Sequence, residues 1–217
     1  MVVALSLLWM GCAQQETPPD LNHPEDAEEE TKDPGPDPIA QLFRASLDLR
    51  GVRPTMEDIN QVDADPESYG DLVDEYLDDP RFEERIINMY AEVFLTRADG
   101  YSVSAADYGL SGAQQFEFAR SVGDETLRIF AHIVANELPL TELVVGDWTM
   151  ANELLAEIWP IEYPEGAEGW AVSRYTDARP AAGILATNSL WWRYMSTTSN
   201  ANRGKANAIS KILLCND

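Results

Sequence analysis

Apolar residues recur at intervals of three and four along most of the chain after residue 39, which is the spacing of one face of an α-helix. The clearest stripe follows Pro80 and consists of Phe82, Ile86, Met89 or Tyr90, Val93 and Arg97. No strictly alternating pattern, as expected of a half-buried strand, persists anywhere. The sequence therefore predicts an all-α fold, an irregular helical bundle.

Capping residues mark where several of these helices begin. Thr55-Met-Glu-Asp58 resembles a capping box, with Asp in place of the usual Glu or Gln. Asp65-Pro66 and Asp79-Pro80 each place an N-cap before a first-turn proline. The stretch 63–70 does not fit a calcium loop, because Ser68 stands where a sharp turn needs glycine. These segments predict helix starts rather than a metal site.

The remaining elements follow from the same patterns. We expect a long helix from about Gln114 to Asn136, and residues 39–145 as one helical domain. Residues 146–217 read as a helical and loop-rich continuation of the same module. Within it we expect a short helix at Met150–Trp159, a loop at Tyr163–Arg179, a helix at Ala181–Met195 and a final helix at Asn202–Leu214.

The chain opens on an apolar run, Val2–Met10, which is too short to span a bilayer and suits the core of a secretory signal. The run ends at Gly11-Cys12 and polar residues follow at once. It resembles the bacterial lipoprotein signal, which implies that residues 1–11 are removed and that Cys12 is acylated. Several acyl chains on one cysteine would anchor the protein durably. The alternative is an ordinary apolar N-terminus with a chance cysteine.

Residues 12–38 are rich in proline and acidic residues and hold almost nothing apolar to bury. Such a composition predicts a disordered, extended tether. Together with Cys12, it favours a protein held in the bacterial cell envelope, periplasmic or at the cell surface. The membrane is then a partner through the lipid anchor.

The charge is strongly negative, with 38 acidic and 15 basic residues and a net charge of −23. A chain of this charge should be repelled by nucleic acid and by anionic membrane surfaces. A well-solvated surface explains the excess, and adaptation to salty surroundings is the alternative.

An aromatic patch is the main candidate for a binding site. It comprises Trp191, Trp192, Arg193 and Tyr194, and could stack on a glycan or contact a protein partner. The alternative is an aromatic anchor of the core. Arg203 and Lys205 could hold an anion at the start of the last helix, or could cap an acidic neighbour.

No nucleophile–base constellation is present, so no catalytic residue is assigned and we lean against an enzyme. His132 has no second histidine near it in sequence, which favours a packed or solvent-facing side chain over a metal or haem ligand. Glu83-Glu84 with Arg81 and Arg85 suits surface pairs at the i, i+4 spacing. We assign no metal ligands.

Several stretches together resemble the planctomycete cytochrome-associated domains, whose members show "SLDLTGLPPT", "LVDRLLASPRF", "DYTFVNERLA" and "GLLT…RGKWVLENLLC" elements. The corresponding stretches, in the same order, are Arg44–Thr55, Asp71–Phe82, Asp147–Ala156, Gly183–Thr187, Arg203–Lys205 and Ile212–Cys215. The resemblance covers nearly all of the predicted folded part and implies an exported protein of undefined activity.

Many members of that group carry a haem-attachment CxxCH motif further along, and this chain has none. The resemblance thus implies a fragment of a longer protein, with haem only in a region beyond residue 217. Two functions follow as expectations. The first is a non-catalytic envelope module that binds or scaffolds a partner. The second is part of a haem-containing redox or polymer-degrading protein.

Overall fold

The computed structural model describes residue 35 and residues 37–97, 105–199 and 201–214. The predicted signal, Cys12, Cys215 and most of the predicted tether lie outside these residues. Within them the chain is mostly helical. The helices are α1 Pro38–Arg50, α2 Met56–Ala64, α3 Tyr69–Asp78, α4 Pro80–Phe94, α5 Ala113–Ala135, α6 Glu142–Val145, α7 Glu153–Ile158, α8 Asn188–Arg193 and α9 Arg203–Leu214.

The predicted helix starts are confirmed. Thr55 and Asp58 form a reciprocal capping box at α2. The Asp65 side chain accepts from the amide of Glu67 at a short 3₁₀ turn, and Asp79 caps α4 in the same way. Each cap satisfies amides that a helix N-terminus leaves without a partner.

The core forms where α4 packs along α5. Tyr90 and Phe130 approach to 4.0 Å between ring centroids, and Phe94 is buried beside them. Of the predicted stripe on α4, Phe82 and Ile86 are buried and Tyr90, rather than Met89, packs against the core, but the prediction for Val93 is wrong because Val93 is exposed. Ile87 and Phe94 are buried as well, so the buried face of α4 is turned slightly away from the predicted one.

A small antiparallel sheet corrects the all-α prediction. Its strands are β1 Thr149–Ala151, β2 Ile161–Glu162 and β3 Ala171–Tyr175, in the order β1-β3-β2. The stretch 163–179 is therefore not all loop, and the helix predicted at 150–159 begins only at Glu153. Strands of two to five residues are too short to show alternation, and pairing across the sheet determines them.

The single helix predicted at 181–195 is also wrong. Gly183–Ala186 forms a 3₁₀ turn before α8 begins at Asn188. Gly183 has a positive φ of 51°, and a Cβ there would collide with the backbone of Leu143. Its amide donates to the Gly146 carbonyl at 2.9 Å. This close approach to the end of α6 breaks the helix.

No helix among the described residues is long and apolar enough to cross a membrane.

Candidate functional site

In the predicted aromatic patch, one tryptophan packs against the interior and the other is exposed. Trp192 packs against the apolar cluster around Phe118 and Leu155. Trp191 keeps 52% of its surface exposed, although its indole N–H donates to the Leu185 carbonyl at 3.1 Å. The core interpretation therefore suits Trp192, and the exposed ring of Trp191 is the one available to a ligand.

Arg193 and Tyr194 fasten α8 to the end of α4. The Arg193 Nε donates to the Leu95 carbonyl at 2.8 Å, and the Tyr194 hydroxyl donates to the Phe94 carbonyl at 3.0 Å. Both side chains thus make structural contacts. They place Trp191 at a fixed position on the surface.

Lys205 of α9 lies over the indole of Trp191, with Nζ 3.2 Å from the ring centroid. A cation over an aromatic face is attracted by the ring's negative face. Partial burial lowers the pKa of the Lys205 ammonium. The two residues, 14 positions apart in sequence, form one feature of the surface.

An apolar groove opens beside this pair, between α8, α9 and the 3₁₀ turn Gly183–Ala186 that precedes α8. We call it the α8–α9 groove. It has a volume of about 150 Å³, and its lining includes Leu185, Trp191, Lys205, Ile209, Ile212 and Leu213. Lys205, Ile209, Ile212 and Leu213 recur at helical spacing, so one side of α9 supplies them.

Arg203 and Lys205 make different contacts at the start of α9. The Arg203 guanidinium donates to the Ser199 carbonyl at 2.9 Å and so contacts the loop before α9. The anion site proposed from sequence at Arg203 and Lys205 stays a prediction.

The groove lies in a segment of unusual charge. Between Asp177 and Asp217 there is no acidic residue and there are five basic ones: Arg179, Arg193, Arg203, Lys205 and Lys211. The rest of the chain therefore carries −28, because the total is −23. The prediction from net charge alone overlooked this segregation, although the sequence shows it.

Sequence reasoning also missed a fully buried carboxyl group, that of Glu125 on α5. It accepts hydrogen bonds from the Thr149 hydroxyl at 2.8 Å, the Tyr175 hydroxyl at 2.6 Å and the backbone N–H of Asn188 at 3.0 Å. Burial raises the pKa of Glu125, although these hydrogen bonds oppose the shift. Burial and the neighbouring Glu125 raise the pKa of Tyr175. The signal in the sequence that could have indicated this carboxyl group is the presence of polar residues in the centre of α5, which is otherwise buried.

A cavity of about 230 Å³ adjoins this network and is lined in part by Thr149, Tyr175 and Arg179. Arg179 stacks over the Tyr175 ring, 3.3 Å from its centroid. Its guanidinium donates to Asp177 at 2.7 Å and to the Ala186 carbonyl at 2.7 Å. These polar groups bond to one another, so the network serves to join α5, β1, β3 and α8.

The remaining candidates make contacts within the fold. The His132 ring meets Trp148 edge-on at 5.4 Å, and burial lowers its pKa. Glu83 and Glu84 do not pair within α4 as predicted, because Arg128 of α5 reaches both at 3.1 and 2.6 Å. Among the described residues there is no group of three or more side chains able to hold a metal ion.

Comparison with protein-family models, with curated proteins and with solved structures gives no match to this chain. The resemblance to the planctomycete cytochrome-associated domains, and the haem-containing function that it implies, therefore stay predictions.

Proposed function

We propose that this chain is a non-catalytic binding module of the bacterial envelope, anchored through Cys12, that binds an apolar group joined to an acidic one in the α8–α9 groove. The observation that carries the proposal is the meeting of Trp191 and Lys205 at an apolar groove on the surface. Such a groove with one cationic side chain suits an amphiphilic ligand.

The size of the groove supports a small apolar group. An apolar cavity of about 150 Å³ in another protein takes up benzene, and the α8–α9 groove has a similar volume. One aromatic ring or one branched aliphatic side chain would fill it.

The charge of the surroundings supports the acidic part of the ligand. Lys205 lines the groove, and the segment that supplies α8 and α9 carries no acidic residue. An anion bound beside Lys205 would therefore meet no negative charge from the segment that supplies α8 and α9. Among the described residues, the buried cluster around Glu125 has its hydrogen bonds made internally, which favours binding over catalysis.

The test uses 4-phenylbutyrate, an apolar ring joined to a carboxylate, with the neutral alcohol 4-phenylbutanol as its comparison. Binding is followed in the full chain by the NMR signal of the Trp191 indole N–H. We expect the acid to bind, and Lys205→Ala to weaken it about ten-fold, since a charged hydrogen bond contributes ~1.5 kcal/mol. Ile209→Asp should abolish binding of both compounds.

Val145→Asp is the matched control, since Val145 is also an exposed aliphatic residue of a helix but lies outside the groove. It should leave binding unchanged. Equal binding of the acid to the wild type and to Ile209→Asp would refute the proposal. The anchor is tested separately by palmitate labelling, which Cys12→Ala should abolish.

A further inference from the structure

The cavity of about 230 Å³ beside Tyr175 is separate from the α8–α9 groove, and the two share no lining residue. We call it the β3 cavity, because the end of β3 forms one of its walls. The residues around the start of β1 and the turn before α8 supply the others. An apolar cavity of about 150 Å³ holds benzene. The β3 cavity is larger, so it has room for one six-membered ring with small substituents.

The charged side chains at the β3 cavity balance one another. Arg174, Arg179 and Asp147 line it. Arg174 forms an ion pair with Asp147 at 2.9 Å, and Arg179 forms one with Asp177 at 2.7 Å. These charges sum to zero, in contrast to the net charge of −23 of the whole chain. A charged ligand would bring a charge that the cavity does not offset, whereas a neutral ligand leaves the balance intact.

Hydrogen-bond donors remain on both arginines. The Arg179 Nε and Nη2 each donate one bond to Asp177, and Nη1 donates one to the Ala186 carbonyl. Nη1 and Nη2 each keep a second N–H that has no partner in the part of the chain that the structure describes. The ion pair of Arg174 is weak, because its side chain and that of Asp147 are 58% and 54% exposed. Arg174 can therefore turn toward a ligand.

Hydrogen-bond acceptors also line the cavity. The Thr149 hydroxyl gives its proton to Glu125 at 2.8 Å, so its oxygen can only accept from a further partner. The carboxylate of Asp147 is an acceptor as well. A lining that combines donors with acceptors at zero net charge matches hydroxyl groups, because a hydroxyl both donates and accepts.

The remaining lining includes apolar groups, among them the Trp148 ring and Pro180. The Trp148 indole N–H donates to Glu142 at 3.0 Å, and the ring meets His132 edge-on at 5.4 Å. These contacts hold the ring in place before any ligand binds. An aromatic ring packs well against the C–H groups that a sugar ring carries between its hydroxyls.

We propose that the β3 cavity binds a neutral polyhydroxylated molecule of the size of one hexopyranose ring. Its hydroxyl oxygens accept hydrogen bonds from Arg174 and Arg179. Its hydroxyl protons are donated to Thr149 and Asp147, and its C–H groups pack on Trp148. This site is independent of the ligand proposed for the α8–α9 groove, because no lining residue is common to both.

The test is an NMR titration of the full chain that follows the indole N–H signals of Trp148 and Trp191. The neutral probes are D-glucose, D-galactose and D-mannose. The charged probes are the uronic acid and the 2-amino sugar of the hexose that binds most tightly. We expect at least one hexose to shift the Trp148 signal and to leave that of Trp191 unchanged. Both charged probes should bind at least about five-fold more weakly.

Arg174→Ala should weaken hexose binding about ten-fold, because it removes a charged hydrogen-bond donor. Arg44→Ala is the matched control, since Arg44 is also an exposed arginine paired with an aspartate, Asp48, but lies outside the cavity. It should leave binding unchanged.

Ala181→Phe is a second variant, which should abolish binding by filling the cavity from an exposed position of its lining. Its control is Ala113→Phe, at the exposed first residue of α5 and outside the cavity. Circular dichroism verifies that each variant is folded.

No shift of the Trp148 signal with any of the three hexoses would overturn the inference. Tighter binding of the uronic acid or of the amino sugar than of the hexose would also overturn it, because the cavity would then select a charged ligand. An equal loss in Arg174→Ala and Arg44→Ala would place the hexose elsewhere. Binding of 4-phenylbutyrate is followed at Trp191, so failure of the groove and failure of the β3 cavity are distinguished by which indole responds.

Discussion

The hydroxyl of Tyr175 donates a 2.6 Å hydrogen bond to the fully buried carboxyl group of Glu125. This contact joins β3 to α5, and the two residues are 50 positions apart in sequence. Because a buried polar group without a partner is costly, each of these side chains needs the other.

Tyr175→Phe should lower the free energy of unfolding by about 1–3 kcal/mol, because Glu125 then loses one of its donors. Tyr163→Phe is the control, since its hydroxyl donates to the Gly169 carbonyl at an exposed site and its loss should cost less than ~0.5 kcal/mol. Urea unfolding measures both. Equal losses of unfolding free energy in the two variants would show that the buried hydrogen bond contributes no more than the exposed one.

Glu125 should also give stability a distinct dependence on pH. Burial raises its folded-state pKa above the usual 4.5. The stability that it contributes is therefore fully present below about pH 4.5 and is lost as pH rises through the folded pKa. The difference in unfolding free energy between the wild type and Glu125→Gln should shrink as pH rises above about 4.5. A difference that grows over this range would contradict the raised pKa.

Asp58 should behave in the opposite way. Burial favours its neutral form, but hydrogen bonds from Thr55 and Tyr76 and the charge of Arg50 outweigh burial and lower its pKa below 3.8. Its contribution is present above that pH and is lost as pH falls through the folded pKa. Asp58→Asn should cost about 1–2 kcal/mol at neutral pH, as loss of a helix cap does, and less below about pH 3. Urea titrations at several pH values test this.

Gly183→Ala should destabilise the fold by more than ~2 kcal/mol, because a Cβ would collide with the Leu143 backbone where φ is already positive. Gly70→Ala is the control, since a Cβ there meets nothing within 4 Å inside α3. It should raise stability by about 0.5–1 kcal/mol. Thermal unfolding of both variants distinguishes a required glycine from a tolerated one.

The two neighbouring tryptophans should respond differently to truncation. Trp192→Ala removes packing from the Phe118 cluster and should cost at least ~2 kcal/mol. Trp191→Ala should cost less than ~1 kcal/mol, because about half of the residue's surface is exposed. Comparable losses in urea unfolding would make Trp191 a core residue and would weaken its assignment to the groove.

Local signals predicted the starts of α2 and α4 and the long helix α5. A cap such as Thr55 or Asp79 acts within a few residues, and the buried side chains of α4 repeat at the helical period. The strands were missed because β1 and β3 are short and are stabilised by each other. The sequence indicated Trp191 and Lys205 as separate candidates. Their stacking could not be predicted, because it depends on how the chain turns between α8 and α9.

The sequence by itself determined the helix starts, the mostly helical character and the concentration of basic residues after Asp177, since all of these depend on neighbours along the chain. The tertiary structure alone decided that Glu125 is buried, that Gly183 breaks a helix and that Lys205 covers Trp191. Each of these depends on residues brought together from distant positions, where the free energy comes from burial and close packing rather than local propensity.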